Sequence, residues 1–216
     1  EVYGDIYLVG DFNDWKVETN YMLNRHVVNS DSVIWWIDLT VSPGTEYAFQ
    51  YLVDGTIRTG DPYSEKILDP WNDQYIPSTS YPNLKPYPAG KTSQAVTVLQ
   101  TAQSEYQWQV TDFQKPPKEK LIIYELHVRD FSTQRNYQFL IDTLSYLKSL
   151  GVNAIELMPV SEFEGNSSWG YNPSFSTALD KYYGTPNKLK EFIDLCHQNG
   201  IAVIMDMVLN HTYGQS

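Results

Sequence analysis

Several things are scarce in this 216-residue chain. It has one cysteine, Cys196, which excludes an internal disulfide but says little about compartment, because many exported proteins carry none. Positive charge is short: 15 Lys and Arg stand against 26 Asp and Glu, a net charge of −11. So acidic a chain lacks the basic surface that displaces counterions from nucleic acid, and no nucleic-acid partner is expected. No apolar run is long enough to span a bilayer and nothing amphipathic suggests membrane binding. A glycine-rich phosphate loop, Cys/His zinc spacing and a nucleophile elbow are all missing. No signal peptide is visible, but Glu1 is not a natural start, so a processed or cut N-terminus is expected and localisation stays open.

What is present reads as globular, at 42% hydrophobic and 19% charged residues, with length for one large domain or two small ones. Aromatic residues make up 14%, including 17 Tyr and 6 Trp. Their flat faces and polar tips suit sugar binding, and equally an ordinary core.

The first hundred residues carry short β-branched and aromatic runs, VYGDIYLVG (Val2 to Gly10), VIWWIDLTV (Val33 to Val41) and EYAFQYLVD (Glu46 to Asp54), separated by Gly, Asn, Asp and Pro. Asp54-Gly55 reads as a two-residue hairpin turn. Several strands without a convincing helix predict a small β-sandwich over residues 1–100. Ile76 to Ser93 is rich in Pro, Ser and Tyr and reads as an irregular surface segment, followed by a strand near Ala95 to Leu99. Residues 101–117 read as a linker ending at Pro116-Pro117.

After Lys118 the period changes. LIIYELHV (Leu121 to Val128), NAIELMPV (Asn153 to Val160) and AVIMDMV (Ala202 to Val208) read as strands. Tyr137 to Leu150 reads as a helix with Leu140, Leu144 and Leu147 on one face and Gly151 as its stop. A long loop is expected from Ser161 to Gly184. Thr185-Pro186 then starts a second helix, with Leu189, Phe192, Ile193 and Cys196 on its buried face and Gly200 ending it. Strand–helix–strand–helix–strand is the pattern of a parallel α/β domain.

Strands of such a sheet are usually covered on both faces and continuously apolar. Here Glu125, His127 and Arg129 alternate along the first, while Glu156 interrupts the second and Asp206 the third. Charges do not stay unpaired in an apolar interior. For Glu125, His127, Arg129 and Glu156 a structural ion-pair network, for example Arg129 with Glu156, is the favoured reading. Asp206 lies near the carboxyl end of its strand, where parallel α/β folds carry their ligand site, and a functional role is favoured. His211 gains weight from standing five residues past Asp206. The long loop contributes Trp169-Gly170-Tyr171-Asn172-Pro173, whose aromatics either stack on a ligand or pin the loop.

These segments together resemble the α-amylase family, glycoside hydrolase family 13, in its pullulanase, debranching and branching-like subgroup. DMVLNH (Asp206 to His211) resembles the family's first signature block, at the end of barrel strand three. IYELHVRDFS (Ile123 to Ser132) resembles strand one, and IELMPVSEF (Ile155 to Phe163), WGYNP and YYGTPNKLKEFID follow in the family's order. YLVGDFNDW (Tyr7 to Trp15) and YAFQYLVDG (Tyr47 to Gly55) resemble carbohydrate-binding module family 48. The resemblance implies an N-terminal immunoglobulin-like β-sandwich followed, from 118 to 216, by the first three βα units of a (β/α)8 TIM barrel, truncated after barrel strand three. It implies a retaining glycosidase acting on α-glucans such as starch, glycogen or pullulan, with a branching-type transglycosylase or a glucan-binding protein as the alternative. The nucleophile and acid/base are then expected after Ser216, and the 216 residues alone are expected to be inactive and to self-associate.

By the same resemblance His211 would hydrogen-bond the sugar, Tyr171 would stack on it, and Asp206 would hold the hydrogen bonds beneath. Asn210 matches a calcium-site residue of many amylases, so calcium stays possible; no other cofactor is expected. Trp15, Trp35 and Trp36 are candidate glucan platforms in the sandwich. Neighbouring Trp35 and Trp36 point to opposite faces of a strand, so at most one of that pair is exposed there.

Overall fold

Alternating apolar residues give the first half its strands. In the computed structural model, which describes residues 4–214, these are β1 (Ile6–Gly10), β2 (Asn24–Val27), β3 (Val33–Trp36), β4 (Glu46–Val53), β5 (Ile57–Thr59), β6 (Ile67–Leu68) and β7 (Val96–Gln100). The chain divides into two units, one built on Glu1–Asp73 and Lys85–Gln103, the other on Gln74–Leu84 and Ser104–Gly214.

In the first unit an antiparallel sheet runs β1-β4-β7-β6, and β5 also pairs with β4. Asp54 and Gly55 turn the chain at φ 48° and 68°, and three residues rather than two separate the paired Val53 and Ile57. Strands β2 and β3 form their own ribbon. Ile6, Leu8, Leu23, Phe49 and Val53 form a core against which Trp35, Ile37, Leu39, Tyr51 and Leu99 pack.

The segment after β1 is a polar corner rather than a surface loop. The Asn13 side chain accepts from the Gly10 N–H at 2.9 Å and donates to the Leu8 carbonyl at 2.9 Å. Asp11 accepts from the Ala48 N–H at 2.9 Å and from the Trp15 indole at 3.2 Å. A Cβ on Gly10 would stand 2.5 Å from the Ala48 carbonyl oxygen, so only glycine lets the corner lie this close to β4.

The second unit contains β8 (Ile123–Leu126), α1 (Val128–Phe131), α2 (Tyr137–Asp142), α3 (Leu144–Ser149), β9 (Ala154–Leu157), β10 (Ser161–Phe163), β11 (Pro173–Leu179), α4 (Pro186–Gln198) and β12 (Ala202–Met205). Strands β8, β9 and β12 lie parallel in the order β12-β9-β8. One face carries Tyr124, Leu126, Ile155, Leu157, Val203 and Met205, packed with Leu140, Leu144, Leu147, Leu189, Phe192 and Cys196 from the helices.

Three expectations are corrected here. The helix predicted over 137–150 is split at Thr143, whose hydroxyl donates to the Phe139 carbonyl at 2.7 Å and competes with the helical ladder. The segment 161–184 is not an open loop. It contains the β10–β11 hairpin, with register shifts and buried Phe163 and Phe175. Polar residues hid it: Glu162 is 5% exposed and Lys181 2%, and the two form a buried ion pair. Third, α1 takes Arg129 off the strand, and its guanidinium bonds Asp130 at 2.7 Å and 2.9 Å rather than Glu156. Helix α4 starts as expected, with the Thr185 side chain accepting from the Lys188 N–H at 3.2 Å and Pro186 in its first turn.

Residues 104–114 lie along α4. Asp194, which is 1% exposed, accepts from the Gln109 N–H at 2.8 Å, the Val110 N–H at 2.9 Å and the Tyr106 hydroxyl at 3.2 Å. Phe113 stacks on His197, ring centroids 4.0 Å apart. Burial pushes the Asp194 carboxyl up, but these donors outweigh it and hold the group below its usual range. No helix among the described residues is long and apolar enough to cross a membrane.

Two expected outcomes follow from the buried charges. Asp194→Ala strips three donors of their acceptor and should lower the unfolding free energy by about 3 kcal/mol in urea titration. Since its folded pKa is depressed, Asp194 stabilises the fold fully above about pH 4 and loses that contribution as pH falls through the folded value, so the Ala variant should have the flatter acid limb. Lys181→Met removes the buried ammonium that faces Glu162 and should cost about 3–5 kcal/mol. The double change Lys181→Met with Glu162→Leu should recover most of that loss, and a double variant no more stable than the single one would refute the pairing.

Candidate active site

The second face of the parallel sheet is polar. The register places Glu125 beside Glu156 and Glu156 beside Ile204, and two residues on comes Asp206, whose N–H donates to the Leu157 carbonyl at 3.0 Å. Glu125 is exposed, and Glu156 and Asp206 are half-buried. Like charges on neighbouring strands cannot be sealed in an apolar interior, and this face remains open to solvent.

At the carboxyl ends of these strands sits the loop Ser168 to Pro173. Its conformation depends on Gly170, at φ 89°, where a Cβ would stand 2.3 Å from the Pro159 carbonyl oxygen. The Gly170 N–H donates to the Ser168 hydroxyl at 2.9 Å, and that hydroxyl also bonds the Asn172 side chain. The loop is tied to the segment after β12 at three points. The Tyr171 hydroxyl donates to Asp206 Oδ2 at 2.6 Å, His211 Nε2 donates to the Tyr171 carbonyl at 3.0 Å, and the Tyr213 N–H donates to the Pro173 carbonyl at 2.7 Å.

Thus the structure brings together Tyr171, Asp206 and His211, three residues that the sequence motifs singled out. Tyr171 remains 43% exposed, with ring surface available to a ligand. Its hydroxyl stays protonated across the ordinary pH range: the bond to Asp206, then burial, then the charges of Asp206, Glu125 and Glu156 push its pKa up to about 12. Both nitrogens of His211 are engaged, Nε2 with Tyr171 and Nδ1 with the Asn210 side chain at 3.2 Å. A ligand hydroxyl would therefore reach His211 by replacing one of these partners.

Among the described residues no three or more His, Cys, Asp or Glu side chains form a group able to hold a metal ion. Calcium takes six to eight oxygens, backbone carbonyls among them, and the one side-chain oxygen Asn210 offers faces His211.

The tryptophans divide three ways. Trp15 is 5% exposed and held by Asp11, so its ring offers no face to a sugar, which corrects its candidacy as a platform. Trp35 is half-buried on the core, with the Arg25 guanidinium 5.9 Å above it. Trp36 is 48% exposed, as the alternation along β3 required. The sequence motifs named Trp169 with Tyr171 as a stacking or loop-pinning aromatic without choosing between the two roles, and its ring is 61% exposed. Nor did they assign His127 to the loop, which its backbone contact at Ser168 reveals. Only the side-chain contacts distinguish His127 from an ordinary strand residue.

Residues 130–216 match the family described as alpha amylase, catalytic domain. The 1,4-alpha-glucan branching enzyme of Vibrio cholerae is 35% identical over 216 aligned positions, covering 94% of this chain and 26% of that protein. The malto-oligosyltrehalose trehalohydrolase of Saccharolobus solfataricus is 34% identical over 155, covering 72% and 26%. A crystal structure described as a putative alpha amylase from Salmonella typhimurium superposes with a TM-score of 0.71 at 26% identity, covering 99% of this chain and 31% of that one. The chain thus spans about a quarter of the length of these two curated relatives. The amylase likeness makes the second unit a TIM-barrel-related fold. From residue 130 onward, this chain matches the α-amylase catalytic-domain family.

Proposed function

We propose that this chain is the front portion of an α-glucan-active retaining glycoside hydrolase, and that Tyr171, Asp206 and His211 form the floor and one wall of its sugar site. The observation that carries the reading is the Tyr171–Asp206 bond at 2.6 Å, made at the carboxyl ends of parallel strands in a chain that matches this family. In this reading the parallel sheet supplies the first three βα units of a (β/α)8 barrel, and the first unit is an immunoglobulin-like sandwich of the carbohydrate-binding module family 48 kind. Its sheet and ribbon share one core, which supports that assignment.

Chemically, Asp206 has one oxygen committed to Tyr171 and keeps the phenol ring in a fixed plane. That ring covers one side of a sugar by stacking. The negative charges of Asp206, Glu156 and Glu125 favour a developing oxocarbenium ion over the neutral sugar, which is the differential stabilisation that catalysis requires. The nucleophile and acid/base carboxylates of a retaining reaction are assigned to sequence beyond Ser216. A branching-type transglycosylase is the second reading, favoured by the 94% of this chain that aligns with the Vibrio cholerae branching enzyme.

The full-length protein should release reducing ends from amylose, pullulan or glycogen, or raise the branch content of amylose under the second reading. No change in any of the three would overturn both. Asp206→Ala should lower kcat/KM by about 100-fold, and Tyr171→Phe, which keeps the ring but loses a bond to a charged acceptor, by about tenfold. In affinity electrophoresis on glycogen gels, Trp36→Ala should weaken retention, whereas Trp15→Ala should lower the melting temperature. Unchanged retention for Trp36→Ala would remove that ring as a platform.

A further inference from the structure

His127 lies at the end of β8 and is 9% exposed, yet both of its ring nitrogens reach across to other groups. Nδ1 donates to Asp130 Oδ2 at 2.9 Å, and Nε2 donates to the backbone carbonyl of Ser168 at 3.0 Å. Asp130 is itself held by the Arg129 guanidinium through both carboxylate oxygens. That guanidinium, and after it His127, keep the Asp130 carboxyl well below the usual carboxylate range, so it remains an anionic acceptor. The Tyr183 hydroxyl lies 3.3 Å from Nε2, and the Trp169 ring is centred 6.4 Å from the imidazole.

We propose that His127 is a positioning residue for the sugar site, acting through the backbone at Ser168 to fix the loop that carries Tyr171. The relay is Arg129 to Asp130, Asp130 to His127, and His127 to Ser168. Ser168 then bonds the Gly170 N–H and the Asn172 side chain on either side of Tyr171. The bonds at Asp206 and His211 hold Tyr171 from the β12 side. His127 supplies the opposing anchor from β8, so the loop is held at both ends. A buried histidine spent on a backbone carbonyl has little packing purpose that an apolar residue would not serve better, and the bond it makes falls on the loop. The consequence for turnover rests on the proposed function; the anchoring of the loop does not.

The two nitrogens can be separated by substitution. The amide nitrogen of His127→Gln reaches the place of Nε2 and can still donate to Ser168. That of His127→Asn reaches only the place of Nδ1 and keeps Asp130 alone. In the full-length protein, hydrogen exchange of the peptide spanning 166–173 should run about tenfold faster in His127→Asn and within about threefold of wild type in His127→Gln. The kcat on an α-glucan should fall by about tenfold in the Asn variant and be largely restored in the Gln variant, with KM changing less than kcat. Equal exchange in the two variants, or exchange unchanged in both, overturns the proposal. If His127→Asn fails to fold, Asp130→Asn on the exposed side of the relay carries the test, with the same rise in loop exchange expected and an unchanged loop refuting it. A wild type that turns over no α-glucan removes the proposed function while leaving the exchange result to decide the anchor.

Discussion

Three strands pointing the same way place their carboxyl ends side by side, and the site depends on that shared direction. Because β9 pairs in register with both β8 and β12, Leu126, Leu157 and Met205 end level with one another. Whatever follows each strand is then delivered to one rim. His127 follows the first, the Ser168–Pro173 loop is seated against Pro159 after the second, and Asp206 follows the third. An antiparallel arrangement of the same strands would send His127 or Asp206 to the far side. The same register sets Glu125 against Glu156, a pairing that an apolar enclosure would not tolerate and that an open, polar face does.

The second unit separates two kinds of stabilisation by face. Toward the helices the sheet is apolar, and Leu126, Ile155, Leu157 and Phe192 are sealed from water. Away from that layer, position is set by polar groups used as clamps: Asp206 on a phenol, His127 on a backbone carbonyl, Lys181 on Glu162, Asp194 on two backbone amides. Apolar packing tolerates small slides between surfaces. A hydrogen bond at 2.6–3.0 Å does not, which suits it to hold a loop whose Tyr171 must present a ring at a fixed angle.

Most of the parallel unit was legible in the sequence. Its signals are local: apolar strands, a Thr-Pro helix start, glycine stops and ordered motifs. Tyr171, Asp206 and His211 were singled out because their motifs fall at strand ends and in the long loop, and the structure bonds them to one another. The misses share a cause, which is that polar residues are read as surface. Glu162 and Lys181 pair with each other at a distance of nineteen residues, and this concealed the β10–β11 hairpin. Asp194 was invisible among the apolar positions of α4 because two of its three partners are backbone amides, which carry no side-chain signature. Thr143 broke a helix without a proline or glycine to announce it. Trp15 failed as a platform because the corner that buries it is built by Asn13 and Asp11, residues that ordinarily mark an exposed turn.

The hold of Asp194 on residues 109 and 110 spans 84 and 85 positions of sequence. A ribosome makes the strap long before it makes the carboxylate that orders it. At roughly 5–20 residues per second, the amides of Gln109 and Val110 wait on the order of several seconds for α4 to emerge. Closing so long a loop carries an entropic cost that no local contact offsets, so this strap settles after the β8–β9 pairing rather than before it. Order in residues 104–114 of the second unit is therefore a late event of biosynthesis, protected from a nascent-chain protease only after α4 has emerged.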